Sequence, residues 1–163
     1  MYKAAILVAS DSSSEGRRSD LSGAAIRDIL LKYENFTASD PVILPDDRPV
    51  LAAKMRQLAD EEAFDLILTT GGTGFSKRDV TPEATLDVVE RRAPGIAEAM
   101  RQLSLQITPR AMLSRAEAGI RGDTLIVNLP GSPKAVQETL DYILPSVEHG
   151  LDILQGRDAD CAR

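Results

Sequence analysis

The stretch that most constrains the fold is a short apolar run that breaks into a glycine-rich turn and restarts as a helix. It covers residues 66–83 and reads LILTTGGTGFSKRDVTPE. Its apolar start predicts a buried strand, whereas Thr81, Pro82 and Glu83 predict a helix start, with Thr81 as the cap. A strand, a glycine turn and a helix in this order typically present backbone N–H groups to a phosphate. The alternative is a tight turn with a solvated, charged tip.

Charged side chains lie between the glycines and this helix. Lys77 and Arg78 can meet phosphate oxygens, whereas the carboxylate of Asp79 beside phosphates usually needs a metal ion between them. A second acidic position, Asp46 followed by Asp47, comes after a short apolar segment flanked by prolines. Two acids ahead of a helix are often only a cap and a dipole partner. Asp46 nevertheless has the same position after a strand as Asp79, and Asp47 is expected to be the helix-entry residue.

The rest of the chain alternates between strand and helix patterns. The predicted strands cover residues 4–9, 41–45, 66–69, 111–120 and 124–129. Apolar stripes at helical spacing over 25–33, 51–59 and 96–103 predict three helices, a fourth runs from Pro82 to Arg92, and a fifth begins at 133, with Pro145 bending or ending it. This succession predicts an α/β protein, a three-layer sandwich with a mostly parallel central sheet, one antiparallel strand and helices on both faces.

Two further polar segments follow predicted strands. Residues 10–16 (SDSSSEG) place hydroxyls after the first strand, where open α/β sheets bind their ligands, although a plain surface loop explains them equally well. Residues 128–134 (NLPGSPK) repeat the order of strand, glycine turn and helix, with Ser132 as the expected cap and Pro133 at the helix start. The two glycine turns are therefore expected to face one cleft.

Composition narrows the function. The 163 residues predict one domain, and a net charge of -6 with a pI near 4.8 gives no general attraction for nucleic acid or an anionic membrane. The sequence has no signal-peptide or membrane-spanning pattern, and a single cysteine, Cys161, allows no internal disulfide, so a cytoplasmic protein is expected.

P-loop, hydrolase-elbow and dinucleotide fingerprints are absent, and His149 is expected to have a packing or capping role. Acids, glycine turns and cations suit phosphoryl or nucleotidyl transfer with Mg²⁺.

Four motifs together resemble the molybdenum cofactor biosynthesis family. They are TTGGTG at 69–74, RDVTPEAT at 78–85, LSR at 113–115 and NLPGSP at 128–133, supported by LPDD at 44–47 and by PG at 94–95 ahead of MR at 100–101. The resemblance spans about residues 4 to 156, and within the family the chain is similar to the single-domain molybdopterin adenylyltransferases. It implies one molybdopterin-binding domain over residues 1–163. The implied reaction moves AMP from Mg·ATP onto the terminal phosphate of molybdopterin and releases pyrophosphate, ahead of molybdate insertion.

The resemblance also implies the site. Asp46 and Asp79 match the two catalytic acids of the family and are the expected ligands of Mg²⁺, with ATP as co-substrate. The expected substrate-binding residues are Ser10, Asp11, Gly71, Gly72, Thr73, Gly74, Ser114, Arg115, Asn128, Pro130, Gly131, Ser132 and Lys134. Roles for Arg17 and Lys77 lie outside the matched motifs and stay open.

The resemblance further implies partners. Members of the family are typically trimers, sometimes paired into hexamers, so a homotrimer is expected, with a molybdate-insertion protein as a further partner and no nucleic acid or membrane. Two rival functions stay open: a molybdopterin-binding scaffold without activity, and a nucleotide hydrolase on the same fold. The presence of both Asp46 and Asp79 favours the enzyme over the scaffold.

Overall fold

A seven-stranded sheet forms the centre of the computed structural model, which describes residues 1–157. Its strands are β1 (Tyr2–Ala9), β2 (Phe36–Ala38), β3 (Val42–Leu44), β4 (Leu66–Thr70), β5 (Arg91–Arg92), β6 (Ala118–Arg121) and β7 (Thr124–Leu129). The strand order is β2-β1-β4-β7-β6-β5, and β3 also pairs with β1. Strand β6 is antiparallel to both of its neighbours, whereas the other pairs are parallel. The predicted parallel sheet with one antiparallel strand is therefore confirmed.

Six helices and one 3₁₀ turn complete the described fold. They are α1 (Asp11–Ser14), α2 (Ser22–Leu30), α3 (Arg48–Asp60), α4 (Thr81–Leu86), α5 (Pro94–Leu105), a 3₁₀ helix at Pro109–Leu113 and α6 (Pro133–Leu154). Helices α2, α5 and α6 share one apolar cluster with one face of the sheet, and α3 and α4 share a second cluster with the other face. The sandwich of three layers is confirmed.

Strand β1 shows why its sequence is apolar throughout. Ala4 and Ile6 belong to one cluster, whereas Ala5 and Leu7 belong to the other, because successive side chains of a strand point to opposite faces. A strand buried on both faces needs apolar residues at every position, and each large one contributes roughly 1.5–3 kcal/mol through its burial. The run at residues 66–68 is fully buried for the same reason.

Helix caps confirm part of the expectation. The side chain of Asp47 caps α3 by accepting from the N–H of Val50 at 3.1 Å, and Ser132 caps α6 by accepting from the N–H of Ala135 at 3.1 Å. The expectation that Thr81 caps α4 is wrong. Thr81 is the first helical residue, and the preceding cap position is Val80, whose side chain cannot accept a hydrogen bond.

The predicted helix over residues 82–92 is too long. Helix α4 ends at Leu86, and residues 91–92 form β5, which pairs with β6. The N–H of Glu90 donates to the carbonyl of Ile120 at 2.8 Å, so this segment satisfies its backbone groups in the sheet. Pro94 starts α5, where proline at the first turn loses no hydrogen bond.

Other features of the fold also differ from the prediction. Residues 109–113 form a 3₁₀ helix, so the strand expected over 111–120 begins only at 118, and strand β2 was not predicted. Pro145 does not end α6, which continues for nine residues beyond it. Pro145 and Asp141 are both outside the buried core, so water can solvate the carbonyl that the proline leaves without a donor.

The topology brings three chain segments to one edge of the sheet. The ends of β1, β4 and β7 lie side by side, since Val8 pairs with Thr70 and Thr70 pairs with Leu129. The polar loop after β1, the first glycine turn (residues 71–74) after β4 and the second glycine turn (residues 130–132) after β7 therefore meet there.

Within residues 1–157, no helix combines the length and the hydropathy that a membrane span requires. Cys161 lies outside the described residues.

Candidate functional site

A cleft of about 270 Å³ lies at the carboxyl ends of β1, β4 and β7. Its lining residues are Val8, Ala9, Ser10, Ser13, Arg18, Ser19, Asp20, Leu21, Ser22, Asp46, Thr70, Gly71, Gly72, Asp79, Gly131 and Pro133. The cleft contains both expected catalytic acids and parts of both glycine turns. It is the position at which open parallel sheets bind their ligands.

The first glycine turn admits no side chain at two positions. Gly71 and Gly72 have φ of +88° and +67°, in the left-handed region that favours glycine. A Cβ on Gly71 would overlap the carbonyl oxygen of Ala9, and one on Gly72 would overlap Oγ1 of Thr81 and lie 3.0 Å from Oδ1 of Asp46. The turn is therefore packed tightly against the end of β1, the start of α4 and one of the acids.

Asp46 is held by a reciprocal pair of hydrogen bonds with Asp11. The N–H of Asp11 donates to Oδ2 of Asp46 at 3.0 Å, and the N–H of Asp46 donates to Oδ1 of Asp11 at 2.9 Å. The second carboxylate oxygen, Oδ1 of Asp46, is buried without a hydrogen-bond partner. Burial raises the pKa of Asp46, the hydrogen bond from Asp11 opposes this rise, and repulsion from the carboxylates of Asp11 and Asp79 adds to it.

Arg78 supplies positive charge beside this acid. Its guanidinium donates to both carboxylate oxygens of Asp11, from Nε at 2.9 Å and from Nη2 at 3.0 Å. The pair links the loop after β1 to the loop after β4, and it lowers the pKa of Asp11. Because the pair is largely exposed, we assign it little stability of its own.

Asp79 reaches the cleft by folding back over its own loop. Its Oδ2 accepts a hydrogen bond from the N–H of Ser76 at 3.0 Å and would lie 2.9 Å from a Cβ on Gly74. Asp79 and Asp46 thus present carboxylates to one cleft although they are 33 positions apart in sequence. Within residues 1–157 no group of three or more histidine, cysteine or acidic side chains could hold a metal ion.

The two carboxylates nevertheless fit Mg²⁺ as a cofactor. This ion usually takes one or two carboxylates together with substrate phosphates and waters, not a cage of protein ligands. The buried Oδ1 of Asp46, which has no donor, is a carboxylate oxygen that a cation would satisfy. Asp46 and Asp79 are the residues that could hold the ion.

The second glycine turn is fixed by hydroxyl groups from neighbouring elements. Oγ1 of Thr70 donates to the carbonyl of Pro130 at 2.6 Å, and Oγ of Ser22 donates to the carbonyl of Gly131 at 2.6 Å. A Cβ on Gly131 would lie 3.5 Å from Cα of Gly71, so the two turns pack against each other. The 22-residue helix α6 begins directly after this turn, with Pro133 at its first position and the N–H of Ala135 donating to the side chain of Ser132.

A second cavity of about 220 Å³ lies on the other side of the second glycine turn. It is lined by Ala97, Met100, Arg101, Ser104, Thr108, Arg110, Ala111, Ser114, Ala116, Pro130 and Ala135. Most of its exposed wall is apolar. Arg101 donates to the carbonyl of Ala116 at 2.8 Å, which fixes the wall that carries Ser114. Pro130 faces this second cavity, whereas its neighbour Gly131 faces the cleft.

The expected site residues divide into four groups. The cleft is lined by Ser10, Gly71, Gly72 and Gly131 together with Asp46 and Asp79, and Asp11 lies behind Asp46. Ser114 and Pro130 line the second cavity. Thr73, Gly74, Arg115 and Asn128 contribute contacts within the protein, and Ser132 and Lys134 are at the start of α6.

Asn128 illustrates the third group. Its side chain is fully buried, donates to Oγ1 of Thr69 at 3.0 Å and Oγ1 of Thr85 at 2.8 Å, and accepts from the N–H of Glu117. All of its side-chain contacts therefore join β7 to neighbouring segments. The observed role of this side chain is to position the strand that leads into the second glycine turn.

Sequence reasoning missed the segment at residues 18–22, which forms one wall of the cleft. Oδ1 of Asp20 accepts from the N–H of Gly23 at 3.0 Å, which is the spacing of a helix cap. A capping signal three residues ahead of a glycine could have located the start of α2 here. Among the residues within 1–157 that line the cleft, Arg18 is the only basic one, and no motif pointed to it.

His149 lies far from the cleft. It is on α6, 17 residues after the cap Ser132, which corresponds to about 25 Å along the helix axis. This distance excludes His149 from a catalytic triad with the residues of the cleft.

One known protein family matches most of this chain. The model of a family described as a probable molybdopterin binding domain matches residues 5–149. A molybdopterin adenylyltransferase of Helicobacter pylori (strain J99) is 43% identical over 152 residues, 93% of this chain and 86% of that protein. One of Haemophilus influenzae is 54% identical over 101 residues, 62% of this chain and 51% of that protein.

A solved structure extends the comparison to the fold. The crystal structure of the molybdopterin biosynthesis enzyme MoaB from Thermus thermophilus is similar to this chain, with a TM-score of 0.88 and 45% sequence identity. The similarity covers 96% of this chain and 98% of that one.

Proposed function

We propose, from the premise that this chain belongs to the family of probable molybdopterin binding domains, that it is a molybdopterin adenylyltransferase. The observation that carries the proposal is the convergence of Asp46 and Asp79 on one cleft, beside two glycine turns and a helix N-terminus. Two relatives that carry the name of this enzyme, and of which this chain covers 86%, support the proposal.

The reaction joins two phosphate groups. An oxygen of the terminal phosphate of molybdopterin attacks the α-phosphorus of ATP and forms a P–O–P bond. The bond from that phosphorus to the oxygen bridging to the β-phosphate breaks, and pyrophosphate leaves with the electron pair. No side chain needs to remove a proton from the nucleophile, because a phosphate monoester is largely ionised near neutral pH.

The residues of the cleft can balance the charge of the reaction. Several phosphates must approach one another in an acidic protein. The glycine turns can hold them through backbone N–H groups without adding charge, and the helix dipole at the N-terminus of α6 favours them. Asp46 and Asp79 would hold Mg²⁺, which supplies charge neutralisation to the phosphates when bound. Arg18 and Arg78 add positive charge from the loops at the rim.

The pterin end of the substrate is assigned to the side of Ser114 and the second glycine turn. The apolar second cavity suits a flat ring system, whereas the polar cleft suits phosphates. Lys134, in the first turn of α6, is a further candidate contact for the terminal phosphate of molybdopterin. ATP would then occupy the cleft.

Ser114→Ala tests the assignment of the pterin to the second cavity and of ATP to the cleft. Removing the hydroxyl is expected to weaken molybdopterin binding several-fold and to leave ATP binding within twofold, as measured by calorimetry. Ser146→Ala, on α6 and outside both the cleft and the second cavity, serves as the control and should change neither. A loss of ATP binding in Ser114→Ala would reverse the assignment of the two halves.

One assay separates the proposed enzyme from its two rivals. Purified protein is incubated with Mg·ATP, with and without molybdopterin, and the products are identified by mass spectrometry. Adenylylated molybdopterin and pyrophosphate are expected only when both substrates are present. Hydrolysis of ATP without the pterin would indicate a nucleotide hydrolase, and bound but unchanged pterin would indicate a scaffold.

Assembly and location are proposed in the same way. We expect a cytoplasmic homotrimer, or a hexamer of two trimers, which delivers its product to a protein that inserts molybdate. Exposed apolar side chains between α5 and β6 support self-association, among them Ile107 and Met112. Light scattering at micromolar protein concentration should give a trimer mass, and a monomer mass would contradict this expectation.

A further inference from the structure

Arg115 connects the segment before β6 to the loop that carries Asp79. Its Nε donates to the carbonyl of Gly74 at 2.7 Å, and its Nη2 donates to the carbonyl of Asp79 at 2.7 Å. Its Nη1 donates to the carboxylate of Glu83, and its backbone N–H donates to the carbonyl of Thr73 at 2.9 Å. All three nitrogens of the guanidinium are therefore engaged by groups of the protein.

These acceptors lie at the two ends of an exposed loop. Residues 75–78 are all exposed, and Arg115 holds the carbonyl before this tip and the carbonyl after it. Both anchored residues affect the carboxylate of Asp79, whose Oδ2 packs against Gly74. Arg115 therefore bridges the two ends of the tip, and the N–H of Ser76 within that tip donates to this carboxylate.

Glu83 completes the arrangement from the first turn of α4. Burial by itself would raise the pKa of Glu83, but hydrogen bonds from Arg115 and from the backbone lower it below its ordinary value. Glu83 is therefore ionised at neutral pH and fixes the guanidinium in one orientation. The planar fork of arginine can serve three acceptors at once, whereas the single ammonium of lysine cannot match that geometry.

We propose that Arg115 is a positioning residue that sets the carboxylate of Asp79 for the transfer reaction, with Glu83 fixing Arg115. This inference rests on the proposed function of the cleft. It replaces the expectation that Arg115 binds substrate, because its nitrogens already have acceptors within the protein.

The first test is Arg115→Lys, which keeps the charge and loses the fork. The kcat of adenylyl transfer should fall roughly 10- to 100-fold, as expected when a catalytic group is misplaced, with the KM for ATP within about threefold. Hydrogen exchange of the peptide covering residues 71–80 should become faster. Unchanged kcat, or a large change in KM alone, would overturn the proposal.

Arg121→Lys is the matched control. Arg121 donates to both oxygens of Asp60 and to the carbonyl of Val88, so its guanidinium also serves two acceptor groups away from the cleft. We expect this variant to lose about as much stability as Arg115→Lys. Its kcat and the hydrogen-exchange rate of residues 71–80 should be the same as in the natural chain. An equal fall of kcat in both variants would assign the effect to general destabilisation and refute the proposal.

A double variant tests whether Arg115 acts through Asp79. In the Asp79→Asn background, Arg115→Lys should lower kcat by less than about twofold further, because the group that it positions is already lost. Independent, multiplying effects would overturn the inference. Should Arg115→Lys fail to fold, Glu83→Gln provides the same test with a smaller expected fall of kcat.

Hydrogen exchange keeps this inference separate from the proposed function. If the natural chain shows no adenylyl transfer, the proposed function fails, whereas faster exchange at residues 71–80 in Arg115→Lys would still show that Arg115 orders the loop. If transfer is observed and exchange and kcat stay unchanged in the variant, the positioning role fails and the function stands.

Discussion

The two glycine turns lie against each other but are built in opposite ways. In the first, Gly71 and Gly72 have positive φ and no room for a Cβ, and an irregular loop follows before the six-residue helix α4. In the second, Gly131 does not have a positive φ, its missing Cβ would make only an ordinary contact, and the 22-residue helix α6 begins at once.

This difference separates two tasks within one cleft. The first turn is tied to β1, to Thr81 and to Asp46, and its loop carries Asp79, so its backbone shape determines where the acids stand. The second turn carries no acid and places the N-terminus of a long helix at the rim. We infer that the first turn controls the rate of transfer and the second controls binding.

The largest expected effect comes from Asp79, the acid in the loop that follows the first glycine turn. Asp79→Asn keeps the shape of the side chain but removes its charge, so kcat of adenylyl transfer should fall roughly 10²- to 10³-fold, as is typical when a key electrostatic group is lost. Molybdopterin binding should survive or tighten, because a repelling charge is gone. Raising the Mg²⁺ concentration should recover little, because the proposed ligand of the ion would be missing. Steady-state kinetics and calorimetry measure these quantities.

Asp47→Asn is the control for that variant. Asp47 caps α3, and asparagine caps as well as aspartate, so turnover should stay within twofold. Near-normal turnover in Asp79→Asn would indicate that Asp79 is only part of a charged surface turn. The first glycine turn would then have no special role in the rate of transfer.

Gly72→Ala tests the backbone of the first turn. An alanine at φ of +67° costs about 1–2 kcal/mol, and its Cβ would also displace Thr81 and press on Asp46. We expect the melting temperature to fall by several degrees, with a loss of kcat of at least tenfold. Gly122→Ala has a similar φ of +53° with open space around it, so it should show the backbone cost and no loss of kcat. If Gly72→Ala had the same kcat as Gly122→Ala, the tight packing around Gly72 would not affect catalysis and this prediction would be wrong.

Asp46 is expected to reduce stability while it supports activity. Its buried Oδ1 has no partner and its pKa is raised, so ionisation of this group destabilises the folded state. Asp46→Asn should therefore melt a few degrees higher at pH 7 in the presence of EDTA, on the scale of roughly 2–4 °C per kcal/mol.

The pH dependence of this gain has a definite sign. The folded state holds the proton of Asp46 more strongly than the unfolded state, so the penalty appears as pH rises from the ordinary carboxyl value near 4 through the raised pKa. Below about pH 4 the variant and the natural chain should melt alike. Asp123→Asn, in the turn between β6 and β7, should show no such gain, and a gain of the same size there would refute the assignment to Asp46.

The sequence predicts the two turns but not their difference. The apolar runs, the prolines and the cap Ser132 locate β4, β7 and α6 because each signal is local in the chain. The predicted length of α4 was wrong because the pairing of residues 91–92 with β6 depends on contacts across the sheet. Likewise, only the folded chain shows that Arg115 and Asn128, which lie in the same motifs as ligand candidates, direct their hydrogen bonds to the protein itself.

Gly131→Ala is expected to have the smallest effect and tests the comparison most directly. Its backbone needs no positive φ, and the new Cβ would meet Cα of Gly71 at 3.5 Å, an ordinary van der Waals contact. The free energy of unfolding should change by less than about 0.5 kcal/mol, since replacing glycine also reduces the entropy of the unfolded chain. The methyl group narrows the space between the turns, so the KM for molybdopterin should rise a few-fold with kcat within twofold. A loss of kcat comparable to that of Gly72→Ala would show that the two turns are equivalent and that the division between rate and binding is wrong.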